Sequence, residues 1–269
     1  IKNKYKIEET LFVSMGSRWI FKKDEIENFF ANNLVNFHAT RLPLDTGATP
    51  FSWQILKGDR ISSRLVHLVN ENIDGGPIIF NEKSLFPSSC KIPKDYYDYY
   101  TKELIKFYEK FIEKILKGDS FLLKYQTDYL SRYNPRLVSD IHGWIDWSLS
   151  SLNLVRFVNA FDDPYKGSLT LINNKKVRIK KIHLHGGETP NHPYTAGIIS
   201  RNDKKWIVVC TTSERHMVLI EEVLDIKGKN IVNTLKVGDR FFTPFEKLEE
   251  AKKIRAKFNP TGLKNFNDY

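Results

Sequence analysis

Short apolar runs alternate with helix-like stretches over the first part of the chain, and this rhythm narrows the fold before any other feature does. "TLFVSMGS" (10–17) reads as a buried strand ending in a glycine turn. "KKDEIENFFANN" (22–33) reads as a short helix. Asp24 and Glu25 suit its positive end, and Asn32 and Asn33 its stop. "LVNFHAT" (34–40) is the next strand, followed by the turn-rich "RLPLDTGATP". "FSWQILKG" is a helix stopped by Gly58, and "SSRLVHLV" (62–69) alternates like a strand. Strand, helix, strand, helix, strand predicts an α/β sheet.

The clearest helix lies in "PKDYYDYYTKELIKFYEKFIEKILKGD". Leu104, Phe107, Tyr108, Phe111, Ile112, Ile115 and Leu116 recur there at spacings of three and four, and Gly118 ends it. Its tyrosines Tyr96, Tyr97, Tyr99 and Tyr100 offer faces for stacking on a ligand, but packing is their expected role. From about 120 to 145 the pattern breaks into irregular pieces, the expected linker. "SLSSLNLVRFVNAF" (148–161) then reads as one amphipathic helix. Short β pieces follow, "GSLTLI", "KKVRIKKIHLH", "TAGIIS", "KWIVVCTT" and "HMVLIEEVLDI", separated by glycine, asparagine and proline turns. That pattern predicts a small β barrel or sandwich. The expected division is 1–120, a linker over 121–147, and a β domain over 148–269.

Charge and cysteine usage narrow the function classes. The 42 basic and 32 acidic residues give +10, which favours anionic partners such as RNA, phosphates or nucleotides. The basic excess is spread along the chain and forms no long block. Cys90 and Cys210 lie far apart without Cys-x-x-Cys spacing, which argues against a disulfide framework or a thiolate zinc site and suits a reducing cytosol. No apolar run is long enough for a transmembrane helix. The start, "IKNKYKIEET", has no apolar core of a signal peptide and no methionine, so a missing beginning is expected.

Side chains two apart on a strand face the same way, so Asn36 and His38 share a face and Phe37 takes the other. The loop after them begins at the carboxyl end of that strand, where open α/β sheets place their ligands. A second loop, "NENIDGGPII", leaves the Asp74 carboxylate at a tight Gly75-Gly76-Pro77 turn. Each motif alone is weak. His67 falls within a strand and is expected to pack. His183 and His185 alternate in "KIHLHGG" with no acidic partner nearby in sequence, and a metal role is not expected.

Taken together, "NFHATRLPLDTGATPFSWQILKGD" and "RLVHLVNENIDGGPII" resemble the 10-formyltetrahydrofolate-dependent formyltransferase family. Its Asn-x-His, Leu-Pro loop and Asp-x-Gly-Pro-Ile elements occur here as Asn36, His38, Leu42-Pro43, Gly47, Asp74, Gly76, Pro77 and Ile78. Asp74 lies 36 residues after His38, as the family pattern has it. "HGWIDW" and "LKVGDRFF" resemble the family's domain junction and closing strands. The resemblance implies a Rossmann-like N-terminal domain lacking its first βα units, then an OB-like, mostly β C-terminal domain. It implies Asn36, His38 and Asp74 as the catalytic trio. Met15, Gly16, Arg18, Asn72 and Ile73 would hold the folate, and Arg18, Arg41 and Trp53 the acceptor. It implies 10-formyltetrahydrofolate as co-substrate, no metal, a cytoplasmic setting without membrane contact, and a homodimer as a further expectation.

Several acceptors fit the trio. Asp45 stands in a loop where methionyl-tRNA formyltransferases carry basic residues, and "SRWIF" and "HGWIDW" look more like enzymes that N-formylate nucleotide-linked amino sugars. A sugar acceptor is the favoured expectation, with tRNA the alternative. Formyltetrahydrofolate hydrolysis, or an RNA-binding module on the β domain, follow at a distance.

Overall fold

The computed structural model describes residues 6–17, 21–187 and 190–256, together with the backbone of Phe258–Asn259 and Gly262–Leu263. A four-stranded sheet organises the first half. It contains β1 (Phe12–Met15), β2 (Leu34–His38), β4 (Ile61–Leu68) and β5 (Ile78–Leu85), in that spatial order. Between β2 and β4 lie β3 (Asp45–Gly47) and α1 (Pro50–Lys57). Proline opens α1, whose missing N–H costs nothing there, and Gly58 closes it in the left-handed region with φ 67°. The stretch read as helix 22–33 is shorter, with a π-helical turn over Glu25–Phe29.

β1 and β2 are parallel, whereas β4 runs antiparallel to β2 and β5 antiparallel to β4. The helix between β2 and β4 does not cross the sheet as a βαβ unit requires. α1 instead packs beside α2 (Pro93–Leu116) and against α4 (Ser151–Ala160), so the chain re-enters the sheet in the opposite sense. β4 is also buried on both faces from Ser62 to His67, rather than alternating between core and water. α2 covers the sheet with Phe107 and Phe111, which stack against Phe37 and Phe80. Tyr96 and Tyr100 are buried against Phe51 and Phe86, the expected packing role, while Tyr97 is exposed.

The segment after α2, expected as a linker, fastens onto this half. Lys124 bridges Ile78 at the start of β5, and β6 (Arg132–Asn134) pairs in parallel with β3. A short α3 (Ser139–His142) precedes α4. The second half is β7 (Ser168–Ile172), β8 (Lys175–Gly186), β9 (Ile199–Asn202), β10 (Ile207–Val209), β11 (His216–Leu224) and β12 (Phe241–Phe242), followed by α5 (Phe245–Lys253) and a short antiparallel pair, β13 (Phe258–Asn259) with β14 (Gly262–Leu263). The strand order is β12-β7-β8-β11-β10-β9, with every pair antiparallel. A bridge between Ile198 and Arg240 joins the two edges, so the sheet closes into a barrel and leaves no long open edge. Its core holds Ile179, Ile182, Ile207, Val218 and Ile220, with Trp147 stacked on Phe241 at 5.4 Å. Among the described residues no helix is long and apolar enough to cross a membrane.

Candidate functional site

β2 sorts its side chains by the two-residue period. Val35 and Phe37 point into the apolar cluster beneath α2, and Asn36 and His38 face the other way, into a cleft of about 420 Å³. Because β2 and β4 pair antiparallel with Asn36 opposite His67, the two side chains share a face. Asn36 Nδ2 lies 3.2 Å from His67 Nε2, and His67 Nδ1 lies 2.7 Å from the Leu68 carbonyl oxygen. A carbonyl only accepts, so Nδ1 carries the proton and donates to it. Nε2 is then the acceptor for the Asn36 amide. One neutral tautomer satisfies both contacts.

Asp74 enters from the loop between β4 and β5. Its backbone is in the left-handed region, φ 56°, which turns the chain sharply before Gly75 and Gly76. A Cβ on Gly76 would collide with the Leu68 carbonyl oxygen, so glycine is the residue that fits. Gln126 secures the loop from outside: its side-chain amide donates to the carbonyl oxygens of Asp74 and Gly76, each at 2.6 Å. The carboxylate then lies 3.4 Å from His38 Nε2 through one oxygen and 4.0 Å from His67 Nε2 through the other.

The histidines stand with ring centres 6.0 Å apart and their planes nearly perpendicular. Burial pushes the His38 pKa below the ordinary histidine value, and the nearby Asp74 charge opposes this only in part. Burial likewise lowers that of His67. The Leu68 carbonyl pulls it back up, His38 presses it down further, and Asp74 raises it. The site thus holds two imidazoles that favour their neutral forms beside one carboxylate. Imidazoles beside a carboxylate are groups able to accept and return a proton, while the asparagine amide offers an uncharged hydrogen-bond donor.

Gly16, Asn72 and Ile73 line the same cleft as the trio. Met15 is exposed on β1 and is not part of the lining. Arg18 lies outside the described residues. Arg41 and Trp53 are not among the residues lining this cleft; they line a small cavity that adjoins it and shares Gly47, Ala48 and Pro50 with it. Arg41 is held by the carboxylates of Asp45 and Asp59, and the Trp53 indole donates to the Pro135 carbonyl at 2.8 Å. Both are engaged within the fold, for which the sequence offered no sign. His183, read as lacking an acidic neighbour, has Glu221 Oε1 3.2 Å from its Nε2 across the β8–β11 pair. Among the described residues no cluster of three histidine, cysteine or acidic side chains could hold a metal ion. His67 is the site residue that sequence reasoning assigned to packing alone. It is buried, but its ring contacts Asn36 and faces Asp74.

Two family models match the chain in succession: formyl transferase over residues 18–89, and formyl transferase, C-terminal domain, over residues 138–237. Among curated proteins, the bifunctional polymyxin resistance protein ArnA of Wigglesworthia glossinidia brevipalpis is 25% identical over 73% of this chain and 31% of its own length. A methionyl-tRNA formyltransferase of Clostridium perfringens is 26% identical over 76% of this chain and 65% of its own. The chain therefore spans less than two thirds of these relatives. Among solved structures, the sugar 3N-formyl transferase WlaRD, crystallised with dTDP and 5-N-formyl-THF, superposes with a TM-score of 0.62 at 22% identity. The match covers 78% of this chain and 72% of that one. With both models matched in order over most of the chain, and on the fold they describe, the protein belongs to the formyl transferase family.

Proposed function

We propose that this protein transfers a formyl group from 10-formyltetrahydrofolate to the amine of a nucleotide-linked amino sugar. The observation that carries the reading is the convergence of Asn36, His38 and Asp74 on one cleft, within the fold of a formyl-transferring family. In this reading the acceptor amine attacks the formyl carbon and the formyl oxygen becomes a tetrahedral oxyanion. The Asn36 amide donates to that oxygen, as an oxyanion hole requires. His38, neutral at rest because it is buried, takes up the proton that the amine loses. The imidazolium so formed is stabilised by Asp74 and donates to the oxyanion. Collapse breaks the bond between the formyl carbon and N10, and the proton passes through the His38–Asp74 pair to N10. Formamide and tetrahydrofolate leave. Gly16, Asn72 and Ile73 border the folate in this scheme.

The choice of a sugar over tRNA rests on the loop after His38. Its one cation, Arg41, is neutralised by Asp45 and Asp59, and Lys57 is also paired with Asp45. That leaves little free positive charge there to follow a nucleic-acid backbone. Methionyl-tRNA is the second reading, favoured by the +10 net charge and by the Clostridium perfringens relative.

The test is turnover with 10-formyltetrahydrofolate on a panel of UDP- and dTDP-linked amino sugars beside methionyl-tRNA, following tetrahydrofolate release and formamide formation. Formylation of a sugar amine is the expected result. Formylation of methionyl-tRNA alone, with steep salt dependence, would replace the sugar reading by the tRNA reading.

A further inference from the structure

The cleft is not built by the N-terminal half alone. Beyond α5 the chain turns back, and Ala256 lines the cleft together with Tyr133 and Arg136. Two contacts fix that return. Val138 N–H donates to His142 Nδ1 at 2.9 Å, so His142 carries its proton on Nε2, which donates to the Ile254 carbonyl oxygen at 2.9 Å. One residue on, the Arg255 guanidinium lies over the Tyr133 ring, 4.8 Å from its centre. Tyr133 is itself held in register by the β3–β6 pair opposite Thr46.

Arg136 lines the cleft on this side and Arg255 reaches it through its contact with Tyr133, while among the described lining residues the acid is Asp74, on the loop after β4. An aromatic ring with a guanidinium beside it suits a planar base carrying phosphates. Two anionic ligands are available under the proposed reaction, the acceptor's diphosphate and the glutamate tail of the folate.

We propose that Tyr133, Arg136 and the returning segment Ile254–Ala256 form the acceptor wall, with Arg255 and Arg136 recognising the diphosphate of a nucleoside diphosphate. The inference rests on the formyl-transfer reading and goes beyond it by giving the C-terminal segment a direct part in acceptor choice.

The experiment is titration calorimetry on the full chain, with UDP, dTDP and 5-formyltetrahydrofolate as probes, for the wild type, Arg255→Glu and Arg255→Lys. Charge reversal is expected to weaken UDP or dTDP binding by about tenfold or more, and the lysine variant to stay within about threefold of wild type. Folate binding should be unchanged in both. If Arg255→Glu weakens the folate and spares the nucleotides, the wall belongs to the donor and the inference is overturned. It is equally overturned if neither ligand responds, or if the wild type binds folate but no nucleotide. A wild type that binds no folate would remove the formyl-transfer reading and this inference with it.

Discussion

His67 links the two halves of the proposed catalytic set, since its ring accepts from Asn36 and faces the Asp74 carboxylate. Replacing it with leucine leaves the Asn36 amide free to rotate away from the formyl oxygen. The expected result is a fall in kcat of about a hundredfold, the scale of losing one oxyanion donor, with a smaller change in KM. His67→Gln keeps an acceptor and should recover much of the loss; equal loss in both variants would show that the ring only fills space. His38→Asn and Asp74→Asn act on the proton path, and each should lower turnover by about two to four orders of magnitude with the fold intact. Near-normal turnover in either would remove that residue from the mechanism. The histidines also set an acid limit. Their folded pKa values lie below the ordinary 6.5, so as pH falls below 6.5 the unfolded chain binds protons first and stability drops. The stability held above that value is lost as pH descends through the folded pKa values. Urea midpoints measured between pH 8 and 5 should fall on the acid side, less so in His38→Asn. Asn36 and His38 were legible because a strand's two-residue period is local, and Asp74 because its glycine turn is local. The role of His67 depends on β4 lying antiparallel to β2, which no short stretch of sequence encodes.

In the proposed reaction the loop between β4 and β5 positions Asp74, and it relies on groups outside itself. Gln126 supplies two hydrogen bonds to its carbonyl oxygens from a segment whose composition reads as a connector. Gln126→Leu should leave those carbonyls unpartnered, cost about 1–3 kcal/mol, and lower kcat through a loosened loop. The measurement is kcat beside a thermal midpoint. A stable variant with full kcat would show that the loop keeps its shape unaided. The helices α1 and α2 were readable from periodicity and from their glycine stops, because a helix satisfies its backbone within its own sequence. β5 was not, since its polar Asn81, Glu82, Lys83 and Ser84 break the apolar pattern and the strand exists by pairing with β4. The role of 121–147 was also hidden. Its contacts with the Asp74 loop and with β3 link residues 50 or more positions apart, as in Gln126 to Gly76.

At the scale of the molecule, the interface between the halves is built like a core. Ala160 and Phe161, at the end of α4, are buried with Ile55, Phe86, Tyr96 and Tyr100 of the first half. Polar groups there are paired: Ser52 Oγ donates to the Ala160 carbonyl at 2.8 Å, and the Lys94 amide to the Asp163 carbonyl at 2.8 Å. α4 meanwhile packs on β8 and β11 of the barrel, so one helix belongs to both cores. Separating the halves would expose this apolar surface and leave those carbonyls unpaired, which predicts that the halves unfold together. Phe161→Ala tests the coupling. Its ring is 2% exposed, and truncation should cost about 3–5 kcal/mol through the cavity it leaves. Native-state hydrogen exchange reads the two halves separately. If they are one cooperative unit, the slowest amides of β2 and β4 and those of β8 and β11 should accelerate by the same factor. If only the barrel amides accelerate, α4 belongs to the barrel alone. The cleft would then have to hold its shape without it.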